Sequence, residues 1–301
     1  MRFNRLDLNL LVILNALLTE RSISRAAERV NLSQPAASNA LARLRDYFED
    51  ELLVSSGRQS ILTPRAESLI EPVREVLMRI DSTIATPPQF NPETETRTLS
   101  LLVSDFTSTV LMPSLLAMLY ERAPGIHVRL CPQTSRADEA LEQGEADFLV
   151  IPTQFLSKSH PSAALFEEEY VCVTWTGNTA VTDMLSLELY LACGHVAAEF
   201  AGERSTTFDG WFVDSFDMKR RIEVTAPTMA NLPDLVIGTN RIATVQRRIA
   251  ERATKSLPLK IWEPPMRIPR LVQMLQWHKY RGNDPALLWF RNLAIEAAAA
   301  I

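Results

Sequence analysis

Three prolines within the seven residues Thr86-Pro-Pro-Gln-Phe-Asn-Pro constrain the fold of this chain more than any other feature. Proline fixes its own φ angle and has no amide N–H, so a helix cannot continue through such a stretch. The stretch therefore predicts a linker between two parts of the chain. With 301 residues, the chain is long enough to bury a separate core on each side of it.

Ahead of the linker, the sequence predicts two short helices joined by a tight turn. They follow a first helix, which has apolar residues at helical spacing within 6–18. Ser22 is placed to cap the first helix of the pair, which runs to Val30, and Ser33 is placed to cap the second. Asn31 suits the turn because asparagine tolerates a left-handed backbone.

The second helix of the pair has one apolar and one polar face. The apolar stripe consists of Ala37, Leu41, Leu44 and Phe48. The candidate DNA-binding residues on and around the other face are Ser33, Gln34, Pro35, Ser38, Asn39 and Arg43. Glutamine, asparagine and arginine can hydrogen-bond to base edges in a major groove, and proline can contact a thymine methyl. Amide groups at the start of the helix can hold a phosphate.

A β-hairpin is predicted directly after this helix, at Leu52–Thr63, with Gly57 and Arg58 near its tip. Arg58 could reach the minor groove or the DNA backbone, as wings do. Residues 1–65 contain nine arginines, no lysine and seven acidic residues, a charge of +2, whereas the remainder carries −7. The helix pair alone would also fit a plain helical hairpin, but the hairpin that follows favours a winged DNA-binding module.

A long amphipathic helix is predicted from Pro64 to Ile84. Apolar residues recur in it at three- or four-residue spacing, at Leu69, Val73, Val76, Leu77, Ile80 and Ile84. An apolar stripe must be buried against something, and no helix next to it in the sequence offers a partner. We therefore expect this helix to self-associate.

Beyond the linker, strands alternate with helices, which is typical of an α/β domain with a largely parallel sheet. Strands are predicted at 99–103, 128–130, 148–151, 170–175, 196–200, 221–224, 242–245, 259–262 and 271–277. Helices are predicted at 108–122, 138–144, 208–216, 229–236, 247–252 and 285–300. The three cysteines form no CxxC motif and the four histidines are scattered, so neither a metal site nor a cofactor is expected.

Two other classes of protein are weighed against DNA binding. An enzyme is disfavoured because no GxSxG, phosphate-binding loop, dinucleotide fingerprint, HExxH or Cys–His pair is visible. Glu167-Glu168-Glu169 could pass for catalytic carboxylates, but a run of like charges is more typical of a solvated face. A solute-binding protein would need export and would not need the first 85 residues. The opening MRFNRLDLNLL has no secretory pattern, so a cytoplasmic protein without a membrane span is expected.

Three segments resemble the LysR-type transcriptional regulators: AAERVNLSQPAASNALARLRDYFEDELL, LTPRAESL and, near the end, QWHKYRGNDPALLWFRNL. Together with the prefix MRFNRLDLNLLVILNALLTERS, they are similar to the subgroup that holds nodulation-gene activators and regulators that respond to salicylate, nitroaromatic or chloroaromatic compounds. The resemblance covers nearly the whole chain. It implies a winged helix-turn-helix at 1–63, a linker and dimerisation helix with a hinge at 64–87, and an effector-binding domain at 88–301.

The resemblance further implies that the effector domain is periplasmic-binding-protein-like, with two α/β lobes and a small molecule bound between them. Lobe I would span about 96–166 and 270–301, and lobe II about 167–269. The effector-contacting candidates are Ser104, Asp105, Phe106, Thr107, Ile151, Pro152, Phe200, Gly202, Ser205, Thr206, Trp277 and His278. For these residues helix capping, a solvated loop or simple burial are the alternative roles.

The resemblance implies an activator whose effector is small and aromatic. Phenols, salicylates, chlorinated hydroquinones and flavonoid-like inducers all remain open. The expected partners are double-stranded promoter DNA, this effector and further copies of the chain, as a dimer that pairs into a tetramer. RNA polymerase is a further possible partner. The alternative function is a solute-binding protein or a small-molecule enzyme with an accessory helical domain.

Overall fold

The computed structural model describes residues 7–56, 59–80, 82, 90–134, 136–199, 215 and 219–301. The chain divides into two compact units, Met1–Pro87 and Pro88–Ile301. None of the helices within the described ranges is long and apolar enough to cross a membrane.

The first unit is a small helical domain with one β-hairpin. Its elements are α1 (Leu8–Glu20), α2 (Ile23–Arg29), α3 (Gln34–Phe48), β1 (Leu53–Ser56), β2 (Gln59–Leu62) and α4 (Pro64–Ile80). The predicted caps are confirmed, because the Ser22 and Ser33 side chains accept hydrogen bonds from the amides of Arg25 and Ala36. Asn31 has the expected positive φ, at 55°. Local sequence signals therefore determine this part of the fold.

The long helix α4 has a partner within its own unit that is not its neighbour in the sequence, and its self-association stays a prediction. Ala66 and Val73 belong to the core that α1, α2, α3 and the hairpin share, and α4 packs against α1. Only tertiary folding brings these two helices together. Val76 still leaves 42% of its surface exposed, so an apolar part of α4 remains available. Ile84 lies outside the described residues.

The second unit alternates strands and helices, as predicted. Its strands are β3 (Arg97–Val103), β4 (Ile126–Pro132), β5 (Phe148–Pro152), β6 (Ser162–Glu168), β7 (Tyr170–Trp175), β8 (Gly194–Ala198), β9 (Arg221–Ala226), β10 (Ile242–Gln246), β11 (Leu259–Trp262) and β12 (Leu271–Trp277). Its helices are α5 (Asp105–Val110), α6 (Met112–Arg122), α7 (Ala137–Glu142), α8 (Leu187–Ala192), α9 (Arg247–Thr254) and α10 (Pro285–Ala299), with short 3-10 turns at Thr153–Phe155, Asp234–Val236 and Lys279–Arg281.

Two five-stranded sheets give this unit its two lobes, which confirms the predicted fold class. The strand order is β4-β3-β5-β12-β6 in one sheet and β11-β7-β10-β8-β9 in the other. The chain passes from the first lobe to the second between β6 and β7, and it returns between β11 and β12. In the first lobe β12 runs antiparallel to its neighbours β5 and β6, whereas β3 runs parallel to β4 and β5.

Several predicted elements differ from the observed ones. The helix predicted at 108–122 is split at Leu111, because Pro113 in the first turn of α6 cannot donate to the carbonyl of Thr109. Arg252 donates a 3.5 Å hydrogen bond to that carbonyl instead. The helix predicted at 229–236 is reduced to one 3-10 turn. Of the helix predicted at 208–216 only residue 215 is described, and of the linker predicted at 86–92 only residues 90–92 are described.

Strand β6 and helix α8 were missed. The acidic run Glu167–Glu169 begins in β6 and ends one residue beyond it. Its interpretation as a solvated face is wrong for its middle member. Glu168 is 2% exposed and pairs with Arg248 at 2.9 Å. Glu167 and Glu169 do remain at the surface and in part exposed. Side chains alternate across a strand, so the middle glutamate of the three faces inward.

Candidate functional site

The helix-turn-helix is held by contacts close to its turn. The N–H of Leu32 donates to the carbonyl of Ala27 at 2.9 Å, which closes the turn that follows α2. Ala26 and Ala27 on α2 are buried, as are Ala37, Leu41 and Leu44 on α3. Small alanine side chains let the two helices approach closely. The predicted stripe on α3 is thus confirmed for its first three members, whereas Phe48 is only half-buried.

The polar face of α3 lies on the surface of the unit. Every described DNA-binding candidate is exposed: Ser33, Gln34, Pro35, Ser38, Asn39 and Arg43. Pro35 lies in the first turn of the helix, where it is tolerated. The Arg43 guanidinium lies 4.0 Å from the carboxylate of Asp7, which is too far for a hydrogen bond. Arg58 lies outside the described residues.

The second arginine at the end of α3 has a different environment. The Arg45 guanidinium donates to the main-chain carbonyls of Glu51 (2.8 Å) and Leu53 (2.9 Å), which fastens α3 to the start of the hairpin. Asp50 accepts from the Leu52 amide and from the Thr63 hydroxyl at 2.7 and 2.6 Å. These hydrogen bonds, that of Thr63 first, lower the pKa of Asp50. The wing is therefore positioned by α3 itself.

In the second unit, the predicted Ser104–Thr107 group lies at the carboxyl end of β3. Ser104 caps α5: its hydroxyl accepts from the Thr107 amide at 3.2 Å and lies 3.1 Å from the Thr107 hydroxyl. Thr107 and Phe106 are buried, and the Phe106 ring lies 6.1 Å from that of Phe166. The hydroxyls at this edge are therefore already used within the protein.

Asp105 connects the two lobes. Its Oδ2 accepts a 2.8 Å hydrogen bond from the amide of Ala230 in the second lobe. Its Oδ1 is buried and has no hydrogen-bond partner among the described residues. Buried polar atoms nearly always have partners, so this oxygen marks a position where a donor from a small molecule would be stabilised.

Ile151 and Pro152 end β5, next to β3 at the same sheet edge. Both are half-buried. Ile151 packs beside α7. The candidates Phe200, Gly202, Ser205 and Thr206 follow β8 in the sequence and lie outside the described residues.

Trp277 and His278 do not join this group. Because β12 is antiparallel to β5, Trp277 pairs with Phe148 at the start of β5, at the opposite edge from Pro152. His278 is 1% exposed, and burial lowers its pKa to about 4. The structure therefore does not bring these two residues to the edge that holds Ser104 and Pro152.

Two glutamines were missed by the sequence analysis. Gln273 in β12 pairs with Pro152 and so lies at the same edge as Ser104. Gln246 ends β10 in the second lobe. Both are buried, and the Oε1 atom of each has no hydrogen-bond partner among the described residues. A glutamine within a largely apolar strand was the signal that could have found them.

The two crossovers between the lobes are joined by ion pairs around a cavity of about 340 Å³. Glu169 pairs with Arg270 at 2.7 Å and with Arg247 at 3.2 Å. Arg247 also pairs with Glu263 at 2.7 Å. Arg270, and then Arg247, lower the pKa of Glu169. These ion pairs join the segment between β6 and β7 to the segment between β11 and β12.

A winged helix-turn-helix unit followed along the chain by a two-lobed α/β unit defines the class of ligand-responsive DNA-binding regulators. Comparison with known families agrees in both parts. Residues 8–67 match the bacterial regulatory helix-turn-helix protein, lysR family, and residues 92–299 match the LysR substrate binding domain. The chain belongs to the LysR family of transcriptional regulators, and it is not an enzyme.

Relatives and solved structures cover almost the full length. Nodulation protein D of Bradyrhizobium sp. (strain ANU 289) is 40% identical over 299 residues, which is 99% of this chain and 88% of the relative. Nodulation protein D 1 of Bradyrhizobium sp. (strain NC92) is 41% identical, with 99% and 95% covered. The probable transcriptional regulator PA0477 from Pseudomonas aeruginosa matches with a TM-score of 0.65 and 29% identity, covering 97% of each chain.

Proposed function

We propose that the chain binds promoter DNA by inserting α3 into a major groove. The observation that carries the proposal is the separation of the two faces of α3. Gln34, Ser38, Asn39 and Arg43 are exposed, while the opposite face is buried in the core of the unit. Ser33 and Pro35 would meet the DNA at the start of the helix, and Arg58 of the wing would contact the minor groove or the backbone.

The proposed contacts can be tested on the region upstream of the chain's own gene. We expect Gln34→Ala and Arg43→Ala each to weaken binding about tenfold, because a bidentate contact to a base contributes about 1–3 kcal/mol. Fluorescence anisotropy at fixed salt measures the dissociation constants. Arg136→Ala is the matched control, since Arg136 is an exposed arginine of the second unit. Unchanged binding in both α3 variants would refute the assignment.

The effector proposed here is a small aromatic molecule that offers neutral hydroxyl donors. The carboxylate of Asp105 would repel an anionic ligand. Its free Oδ1, with the free Oε1 atoms of Gln246 and Gln273, offers acceptors to phenolic O–H groups. Phe106, Ile151 and Pro152 would supply apolar contacts. Ser104 and Thr107 hold the start of α5 in place, and Phe200, Gly202, Ser205 and Thr206 stay candidates for effector contact.

A thermal-shift series separates phenols from aromatic acids. We expect neutral phenols to raise the unfolding temperature of the full chain, and benzoates of the same size to leave it unchanged. Asp105→Asn should abolish the shift, because it removes the acceptor charge. Asp183→Asn, at an exposed position of the second lobe, should not. A larger shift with benzoates than with phenols would contradict the proposal.

The proposed mechanism couples the two sites through the assembly. The chain would form dimers through the exposed part of α4, and dimers would pair into a tetramer that binds a two-fold symmetric operator. An effector that contacts both lobes would change their angle, and thereby the spacing of α3 helices on the DNA. The protein would act in the cytoplasm as an activator, with RNA polymerase as its further partner. Full-length similarity to nodulation protein D supports this role.

A further inference from the structure

We propose that Glu142, His160 and His278 form a binding site for a divalent transition-metal ion with zinc-like ligand preferences. These residues are far apart in the sequence, which is why their spacing predicted no metal site. In the fold, one ligand atom of each lies within 4.8 Å of the other two. Nε2 of His160 is 2.5 Å from Oε2 of Glu142, and the two imidazole ring centroids are 4.7 Å apart.

The second observation is the environment of His160. Its side chain is 1% exposed, yet neither ring nitrogen has a hydrogen bond of regular geometry to any described residue. The close approach to Glu142 therefore does not satisfy the ring. A buried ring nitrogen without a hydrogen bond is rare in folded proteins, and Nδ1 of His160 has not even a close charged neighbour such as Glu142 is to Nε2. A metal ion held by Nε2 and the carboxylate, with the two atoms moved apart to coordination distance, would give that nitrogen a partner.

The main chain around His160 is fixed next to His278. The Gln276 side chain, two residues before His278, donates to the carbonyls of Ser157 (2.8 Å) and His160 (3.2 Å). The amide of Trp277 donates to the carbonyl of Pro161 at 3.2 Å. The loop before β6 is thereby fastened to the end of β12. Such support is what holds ligands of a metal site in place.

Two imidazole nitrogens and a carboxylate oxygen are a ligand set that Zn²⁺ and its neighbours prefer. The Glu142 side chain is 33% exposed, so an ion could enter from solvent and keep a water molecule as a further ligand. Because a ligating ring keeps its proton on the other nitrogen, binding through His278 must break its 3.2 Å hydrogen bond from the Tyr280 amide. The ion would join α7, the loop before β6 and the end of β12.

Titration of the full chain with Co²⁺ tests the site. We expect visible absorption bands that saturate at about one Co²⁺ per chain, and displacement of Co²⁺ by Zn²⁺. Glu142→Gln and His278→Gln should weaken binding at least about tenfold. His127→Gln should leave it unchanged, because His127 is exposed on β4 and outside the cluster.

Three results would overturn the proposal. They are the absence of saturable binding in the unchanged protein, equal binding by Glu142→Gln, or near-ultraviolet thiolate bands that place the Co²⁺ on a cysteine. If the buried substitution His278→Gln prevents folding, Glu142→Gln decides the question, because it changes a partly exposed carboxylate. Circular dichroism checks that this variant is folded.

Discussion

At the scale of single residues, His195 is a neutral histidine in the core of the second lobe. It is fully buried, and its Nε2 donates to the carbonyl of Tyr190 at 2.6 Å. Its Nδ1 faces the Arg220 guanidinium at 3.5 Å. Burial, followed by the charge of Arg220, lowers the pKa of His195 to about 4. The protonated ring is therefore strongly disfavoured in the folded state.

This pKa predicts a loss of stability in acid. Between pH 6.5 and 4 the unfolded chain binds a proton at this histidine and the folded chain does not, so stability falls as the pH is lowered through this window. The loss reaches roughly 3 kcal/mol for His195. We expect His195→Gln to make the pH dependence of the urea midpoint shallower, with His278, whose pKa is also lowered to about 4, contributing to the slope that remains. His127→Gln should leave the pH dependence unchanged. A slope in His195→Gln as steep as in the unchanged protein would contradict this account.

At the scale of elements, what could be predicted depends on how local the signals are. The turn at Asn31 and the caps at Ser22 and Ser33 depend on neighbours within a few residues, so the sequence sufficed for α2 and α3. The break at Leu111 also had a local signal in Pro113, which the apolar spacing of 108–122 concealed. By contrast, Glu168 is buried because side chains alternate between the two faces of β6, and this alternation exists only once β6 pairs with β12.

The two arginines at the end of α3 show the same limit within one helix. Arg43 is exposed and suits contact with DNA, whereas Arg45 binds main-chain carbonyls at the start of the hairpin. Their sequence positions, two residues apart, place them on different sides of the helix. The roles of the two could be assigned only when the position of the hairpin was known.

At the scale of the whole molecule, the candidate effector site shows what strand direction decides. The sequence placed Ser104, Asp105 and Pro152 at strand ends, and they do share one edge of the sheet. It also assigned Trp277 and His278 to that site, because an antiparallel β12 leaves no local signal. The same reversal brings Gln273 to the effector edge and leaves His278 beside His160 at the other edge.

The central claim is that a two-fold assembly of this chain reads base edges through α3. Methylation interference on the upstream DNA tests it most directly, since guanine N7 lies in the major groove. The account predicts two symmetric clusters of interfering guanines whose centres are about 10 base pairs, or a multiple of that, apart. In the Arg43→Ala variant, both clusters should lose interference at the guanine that Arg43 contacts in the unchanged protein. Binding that is insensitive to methylation, or a single unpaired cluster, would contradict the account.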